Sequence, residues 1–446
     1  MGLAASLFFS NSTEKQTLHR RIIPTNEQKE AQQKRWNALA EYLKADLKEA
    51  SGYPIYSWLQ GSYKFATQLR PLTWNEEFDI DLGIYFEWEG EPEDGNFTPL
   101  QLKEIVQESL EQYAEEQSDV GKVSALKKRC SRIHYEGNFH IDVPTYHLDA
   151  TRDARALATQ DDKWEDSDPK AIYLWFKEQV AEEIRPQIRR LIRYLKAWAI
   201  LNIEGEGRPS AILLTVLVAE SYGELTDSET ASDDEALAGI LRLISGRLKR
   251  NQKVRNPVNT DEVLSDRLGK DGLAAFIDHL QQFGDVAKKA VAAGTEVEAA
   301  DLWSKIYKHF FPLPEPELVV FSQSRKDSQI VPVFTPTVSV KVERKKHRFQ
   351  ERNQWFDVNQ ISSIPKKCSI TFTLVNADQL PYGARVEWTV RNEGNEAEGI
   401  NDLGHPAGTG YTATKSSEYR GRHYMDCVVR QYGHVVAMRR IPVDIV

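Results

Sequence analysis

The chain is poor in sulfur: three cysteines and three methionines in 446 residues. Cys130, Cys368 and Cys427 lie far apart, with no CxxC pair. That spacing excludes a disulfide framework and a zinc site built mainly from cysteine, and it suits a reducing compartment. No run of about 18 apolar residues occurs, so no transmembrane helix is expected. The short apolar stretch Leu3 to Phe9 lacks a basic leader, so no signal peptide is expected either. Met1-Gly2-Leu3-Ala4-Ala5-Ser6 matches only the loosest form of a myristoylation pattern. Internal repeats and long low-complexity segments are also missing.

A basic excess is lacking as well. The formal net charge is -9. Residues 335–446 carry 16 Lys+Arg against 12 Asp+Glu, so the acidic excess belongs to the first three quarters of the chain. An acidic body argues against coating by nucleic acid and against a stable nucleic-acid partner. The short cluster Arg344, Lys345, Lys346 and Arg348 reads as a solvated face. What remains is an ordinary globular composition, 41% hydrophobic and 28% charged, with ten tryptophans.

The texture changes near residue 320. Helical periodicities dominate before it; from Glu182 to Ile203, Ile184, Ile188, Leu191, Ile192, Leu195 and Ala199 form one stripe. After it come short alternating runs, Cys368–Val375, Ala384–Arg391, His423–Gln431 and Val435–Ile445, separated by turn residues. The pattern predicts an α+β chain: a mixed sheet with helices and a helical lobe, then a small β-sandwich-like domain. The expected divisions are a core over 1–180, a helical lobe over 181–320, a linker over 321–360 and a β-rich domain over 361–446.

The chemistry concentrates in two alternating segments. Phe78, Ile80, Leu82, Ile84 and Phe86 mark one face of a strand, so Asp79 and Asp81 project from the other. Ser131–Tyr135 and Phe139–Tyr146 flank the turn Glu136-Gly137-Asn138 and predict a hairpin. In its second strand His140 and Asp142 share a face, and His140 reads as a sheet neighbour rather than a ligand. If the strands adjoin, Asp79, Asp81 and Asp142 converge. Clustered carboxylates repel unless protonated or bridged by a cation. Oxygen ligands suit Mg²⁺ (or Mn²⁺), and three carboxylates can hold two ions about 4 Å apart. Gly61-Ser62, after Gln60, offers a close backbone approach and a hydroxyl to a phosphate.

Gly-Ser, Asp-x-Asp and a distant Asp together resemble the DNA polymerase β-like nucleotidyltransferases. Gln60-Gly61-Ser62-Tyr63-Lys64-Phe65, Phe78–Asp81 and Phe139-His140-Ile141-Asp142-Val143-Pro144 narrow the resemblance to the cGAS/DncV-like nucleotidyltransferases of bacterial anti-phage (CBASS) signalling. Trp175-Phe176, Arg193 to Trp198, Pro209-Ser210 and Asn256-Pro257-Val258 extend it over residues 15–315. Trp388 to Asn392 and Tyr419 to His423 resemble the AGS-C type of sensor domain. The resemblance implies a cytoplasmic, metal-dependent synthase that joins NTPs, ATP and GTP foremost, into a cyclic di- or trinucleotide read by an effector protein. It implies catalysis and metal binding by Asp79, Asp81 and Asp142. It also implies nucleotide contacts from Gln60, Gly61, Ser62, Lys196 and Ser210, with Phe65 able to stack on a base. Ser210 reads equally as a helix N-cap, and Phe65 as core. The sequence alone leaves open a linear or protein-modifying nucleotidyltransferase and a degenerate nucleotide-sensing module. Some such enzymes are conjugated through a flexible tail; Ile441 to Val446 reads instead as a strand, so control through the appended domain is expected.

Overall fold

The computed structural model describes residues 2–12, 16–73, 75–314, 334–344 and 354–446. Two compact units emerge: Ile22–Gly284, and Met1–Arg21 together with Asp285–Val446. Compactness therefore divides the chain elsewhere than the expected boundaries at 180, 320 and 360.

The unit Ile22–Gly284 is built on an eight-stranded mixed sheet. Its strands are β1 (Ile55–Gln60), β2 (Phe78–Glu87), β3 (Val120–Val123), β4 (Ser131–Tyr135), β5 (Phe139–Val143), β6 (Thr145–Asp149), β7 (Ala154–Ala158) and β8 (Trp164–Asp166). β2 is central: β1 runs antiparallel on one side, and β5 and β6 run parallel on the other. The single strand expected over Phe139–Tyr146 is two strands, and Pro144 is the reason. Proline has no N–H to donate, so the outer partner changes there from β4 to β7. The register against β2 survives the break. Phe78 lies opposite Phe139 and Ile84 opposite Thr145, and the Ile84 N–H donates to Pro144 O at 2.9 Å.

One face of the sheet is the core. Ile80, Leu82, Ile84, Phe86, Ile133, Ile141 and Val143 pack on Leu39, Leu43 and Leu47 of the helix Asn26–Ser51 and on Leu102, Val106 and Leu110 of the helix Pro99–Glu116. Thr25 starts the first helix with a capping box to Gln28. The predicted amphipathic helix spans Arg185–Asn202, with Ile188, Leu191, Ile192, Leu195 and Ala199 buried. It is clamped to the helix Asp233–Arg250 through Asp233, which accepts from Arg190 at 2.6 and 2.9 Å and from the Tyr194 hydroxyl at 2.9 Å.

The other unit contains a β-sandwich. β9 (Val338–Arg344), β10 (Gln354–Val358), β12 (Cys368–Leu374) and β15 (Thr412–Ser416) form one sheet in the order β10-β9-β12-β15. The second, in the order β11-β17-β16-β13-β14, comprises β11 (Ile361–Ile364), β13 (Arg385–Arg391), β14 (Gly404–Thr409), β16 (Gly421–Gln431) and β17 (His434–Ile445). Val340, Val342, Ile370 and Phe372 of one sheet share a core with Val386, Trp388, Met425 and Ile441 of the other. β9 and β10 fall where a linker was expected. Arg344 ends β9; Lys345, Lys346 and Arg348 lie outside the described residues. Met1–Arg21 belongs to this unit. Phe8 is fully buried against Trp303, ring centroids 4.9 Å apart, and Arg21 Nη2 donates to Leu403 O at 2.9 Å.

Candidate active site

The parallel pairing of β2 and β5 sets Asp79 beside His140 and Asp81 beside Asp142, on the face away from the helical core. On the other flank of β2, Gln60 is the register partner of Asp81. The chain then turns at Gly61 with φ +55° into the single-turn helix Gly61–Lys64. A Cβ at Gly61 would stand 1.9 Å from Asp81 Oδ2, so only glycine lets the carboxylate lie against the turn.

The carboxylates differ in their partners. Ligand atoms of Asp79, His140 and Asp142 all lie within 4.8 Å of one another, and this group leaves out Asp81. Burial pushes the Asp81 carboxyl well above its ordinary range, and the charges of Asp79 and Asp142 push the same way. Burial also pushes Asp142 up. The Arg132 guanidinium outweighs it with bonds of 2.5 and 2.7 Å and holds Asp142 below the usual carboxylate range. The sequence reading overlooked Arg132, although the hairpin encodes it: Tyr135 opposite Phe139 puts Arg132 opposite Asp142. His140 stands between two acids. Its Nδ1 lies 2.7 Å from Glu77 Oε2, and its Nε2 faces Asp79 Oδ1 at 3.0 Å. These last two atoms are buried and out of hydrogen-bond alignment.

The residues expected to meet nucleotide are placed unequally. Gly61, Phe65, Asp81 and Asp142 line one cavity of about 560 Å³, together with Gln60, Tyr146, Ser167 and Asn259. Gln60 turns its side chain inward: Nε2 donates to the Tyr85 hydroxyl at 2.9 Å and Oε1 accepts from Tyr146 at 3.2 Å. Phe65 is buried against Tyr173 and Phe176, as the core reading has it, and is also among the residues that line the cavity. Ser62 sits on the one-turn helix, its carbonyl accepting from the Thr67 N–H at 2.8 Å. Lys196 donates to Thr67 O at 2.9 Å. Burial pulls its ammonium down to about 8 and Arg193 adds to that, while Asp79 and Asp81 oppose. Ser210 caps the helix Ala211–Tyr222, its hydroxyl accepting from the Leu213 N–H at 3.3 Å. Ile212, two residues on, lines the cavity in its stead.

Comparison with known proteins agrees with this geometry. Residues 56–146 match the nucleotidyltransferase domain of cyclic GMP-AMP synthase DncV-like proteins, and residues 321–446 match the adenylyl/guanylyl and SMODS C-terminal sensor domain. A cyclic GMP-AMP synthase of Escherichia albertii is 26% identical over 98% of this chain and 95% of its own length. One from Escherichia coli is 31% identical over 46% of this chain and 55% of its own. The fold of the Vibrio cholerae DncV cyclic AMP-GMP synthase, crystallised with the linear intermediate 5′ pppA(3′,5′)pG, superposes with a TM-score of 0.58. It is 19% identical and covers 70% of this chain and 97% of its own. The aspartate-bearing sheet and the sandwich thus each match a domain family of known type, and the chain over nearly its whole length is similar to a cyclic GMP-AMP synthase.

Proposed function

We propose that this enzyme joins nucleoside triphosphates, ATP and GTP foremost, into a cyclic di- or trinucleotide with release of pyrophosphate. The product would act in the bacterial cytoplasm on an effector protein in anti-phage signalling. The observation that carries the reading is the register of β2 against β5, which puts Asp79, Asp81 and Asp142 on one face beside the Gly61 turn. The relatives' names, cyclic GMP-AMP synthases, supply the product class.

The donor set fits divalent metal. All three side chains offer oxygen, Asp79 Oδ1 is buried without an aligned partner, and Asp81 carries a charge its surroundings disfavour. Asp79, Asp81 and Asp142 would hold Mg²⁺ or Mn²⁺, two ions, which offset triphosphate charge and acidify an attacking hydroxyl. Arg132 uses two lone-pair sites of Asp142 and keeps it ionised, leaving the remaining sites for the incoming ribose hydroxyl proton. The freed oxygen attacks an α-phosphorus in line, and pyrophosphate departs. Lys196, whose ammonium the charges of Asp79 and Asp81 favour against burial and Arg193, would supply charge to the phosphates. A second transfer closes the ring.

The test is incubation of the full chain with the four NTPs and Mg²⁺ or Mn²⁺, then phosphatase treatment and mass spectrometry. A phosphatase-resistant product with a cyclic di- or trinucleotide mass, absent with Asp79→Ala, is expected. Products with phosphatase-sensitive ends, or nucleotide transferred to protein, would replace the cyclic reading. Nucleotide binding without pyrophosphate release would reduce the site to a binding module.

A further inference from the structure

Among the described residues, two groups of three His, Asp or Glu side chains bring their ligand atoms within 4.8 Å of one another. The first is Asp79, His140 and Asp142 of the site above. The second is Glu77, His134 and His140, and the proposed reaction makes no use of Glu77 or His134.

Three strands build the second group. The β4–β5 hairpin sets His134 directly opposite His140. Alternation keeps Arg132 and His134 on one face of β4, and His140 and Asp142 on the matching face of β5. Glu77 is the residue before β2, and the Phe78 N–H donates to Asn138 O at 2.8 Å, which fixes that strand start against the hairpin turn. Glu77 Oε2 then lies 2.7 Å from His140 Nδ1 and 3.3 Å from His134 Nδ1. The far nitrogen of His134, Nε2, is 2.9 Å from Ser124 Oγ, which leaves Nδ1 facing the carboxylate. A ligating histidine is held in this way, through its other nitrogen.

The donor set selects the cation. Two imidazoles and one carboxylate suit Zn²⁺ and similar transition ions rather than Mg²⁺. A tetrahedral Zn²⁺ about 2.0–2.2 Å from each ligand holds the ligand atoms about 3.4 Å apart. The Glu77–His134 spacing nearly has that value, and the Glu77–His140 spacing must open by about 0.7 Å. Exposure of the side chains grades from 8% at His140 through 18% at His134 to 35% at Glu77, so an ion enters past Glu77 and keeps a fourth position open to water. The nearby Arg132 charge is taken up by Asp142.

His140 couples the two groups. A neutral imidazole that gives Nδ1 to a metal carries its proton on Nε2, and His140 Nε2 faces Asp79 Oδ1 at 3.0 Å. We propose that Glu77, His134 and His140 form a second metal site, for Zn²⁺ or a cation of its class, which bears on Asp79 through the His140 ring. The His140 N–H and the charge of the bound ion would both compete with Mg²⁺ for Asp79. Binding stands by itself; the effect on Mg²⁺ rests on the reaction proposed above.

The experiment titrates the full chain, first stripped of metal, with Zn²⁺ against a chromophoric chelator. One Zn²⁺ per chain with Kd below about 10 μM is expected, undisturbed by millimolar Mg²⁺. His134→Gln, which touches only the second group, should weaken binding at least about tenfold; Asp142→Asn, which touches only the first, should keep it within the same limit. X-ray absorption of the unaltered, Zn²⁺-loaded chain should count two imidazoles, so the site does not depend on how a variant folds. No binding within that limit, a single imidazole, or binding lost in Asp142→Asn but kept in His134→Gln would overturn the site. In pyrophosphate release, free Zn²⁺ held at saturation by a metal buffer should raise the Mg²⁺ needed for half-maximal turnover at least about fivefold, and should not move it in His134→Gln. An unmoved Mg²⁺ requirement in the unaltered chain would overturn the link to Asp79. A chain that binds Zn²⁺ in this way yet never turns over would refute the reaction and uphold the site.

Discussion

At the scale of single residues, the site turns on how closely Gly61 and Asp81 approach. Gly61→Ala must displace the Asp81 carboxylate and strain a turn at φ +55°. A displacement of about 1 Å in a reacting site costs roughly a hundredfold in rate. Turnover should therefore fall at least about a hundredfold, with a melting temperature close to the parent's, measured by pyrophosphate release and calorimetry. The raised Asp81 carboxyl makes a second prediction, with a definite sign. Folded Asp81 keeps its proton to higher pH than the unfolded 3.8, so the metal-free protein loses this contribution as pH rises through the folded value. A cation that replaces the proton recovers it. The melting-point rise produced by Mg²⁺ should be larger at about pH 8 than at about pH 5, and a pH-independent rise would contradict the assignment. The three aspartates and Gly61 were legible in the sequence because alternation assigns faces and glycine marks a special turn. Arg132 and the Glu77–His140 pair were not weighed there, since each matters only through the partner strand. Ser210 shows the opposite difficulty: a serine ahead of an apolar helix serves as a cap in any fold.

At the scale of elements, β2 and the helix Arg185–Asn202 bring the groups together. The strand pattern of β2 and the helical stripe were both readable from period alone. The split at Pro144 was not, because the register against β2 runs through it unbroken and only the outer partner changes. The helix carries Lys196, and its seating depends on Asp233, 4% exposed and bound by Arg190 and Tyr194. Asp233→Ala leaves the Arg190 guanidinium buried without its counter-charge. Removing one partner of such a pair typically costs about 3–5 kcal/mol. Denaturant unfolding should show a loss of that order, and nucleotide affinity should fall with it because Lys196 rides on the same helix. Four of the sandwich strands, β12, β13, β16 and β17, were legible within one or two residues; β9, β10, β11, β14 and β15 were not marked, being short or set among prolines, glycines and charges.

At the scale of the whole molecule, the two compact units do not follow chain order. A fragment of residues 22–291, which keeps the catalytic unit and completes the helix Gly269–Val291, should fold cooperatively by circular dichroism and melting. A fragment of residues 1–339, cut within β9, should melt earlier or aggregate, since it separates Met1–Arg21 and the helices after 285 from the sandwich strands of their own unit. The β-rich tail was recognisable from its texture. Membership of the first 21 residues in the same unit was not, because Phe8 and Arg21 declare themselves only through Trp303 and Leu403. That membership has a consequence during synthesis. Residues 1–21 leave the ribosome well before any residue from 285 onward, since 263 residues of the catalytic unit are made between them. At roughly 5–20 residues per second the delay is roughly 10–50 s. Over that interval the nascent chain presents Leu7, Phe8 and Leu18 without their own core, so a bulky N-terminal fusion or a slowed ribosome should act on assembly of the sensor-bearing unit before it touches the active site.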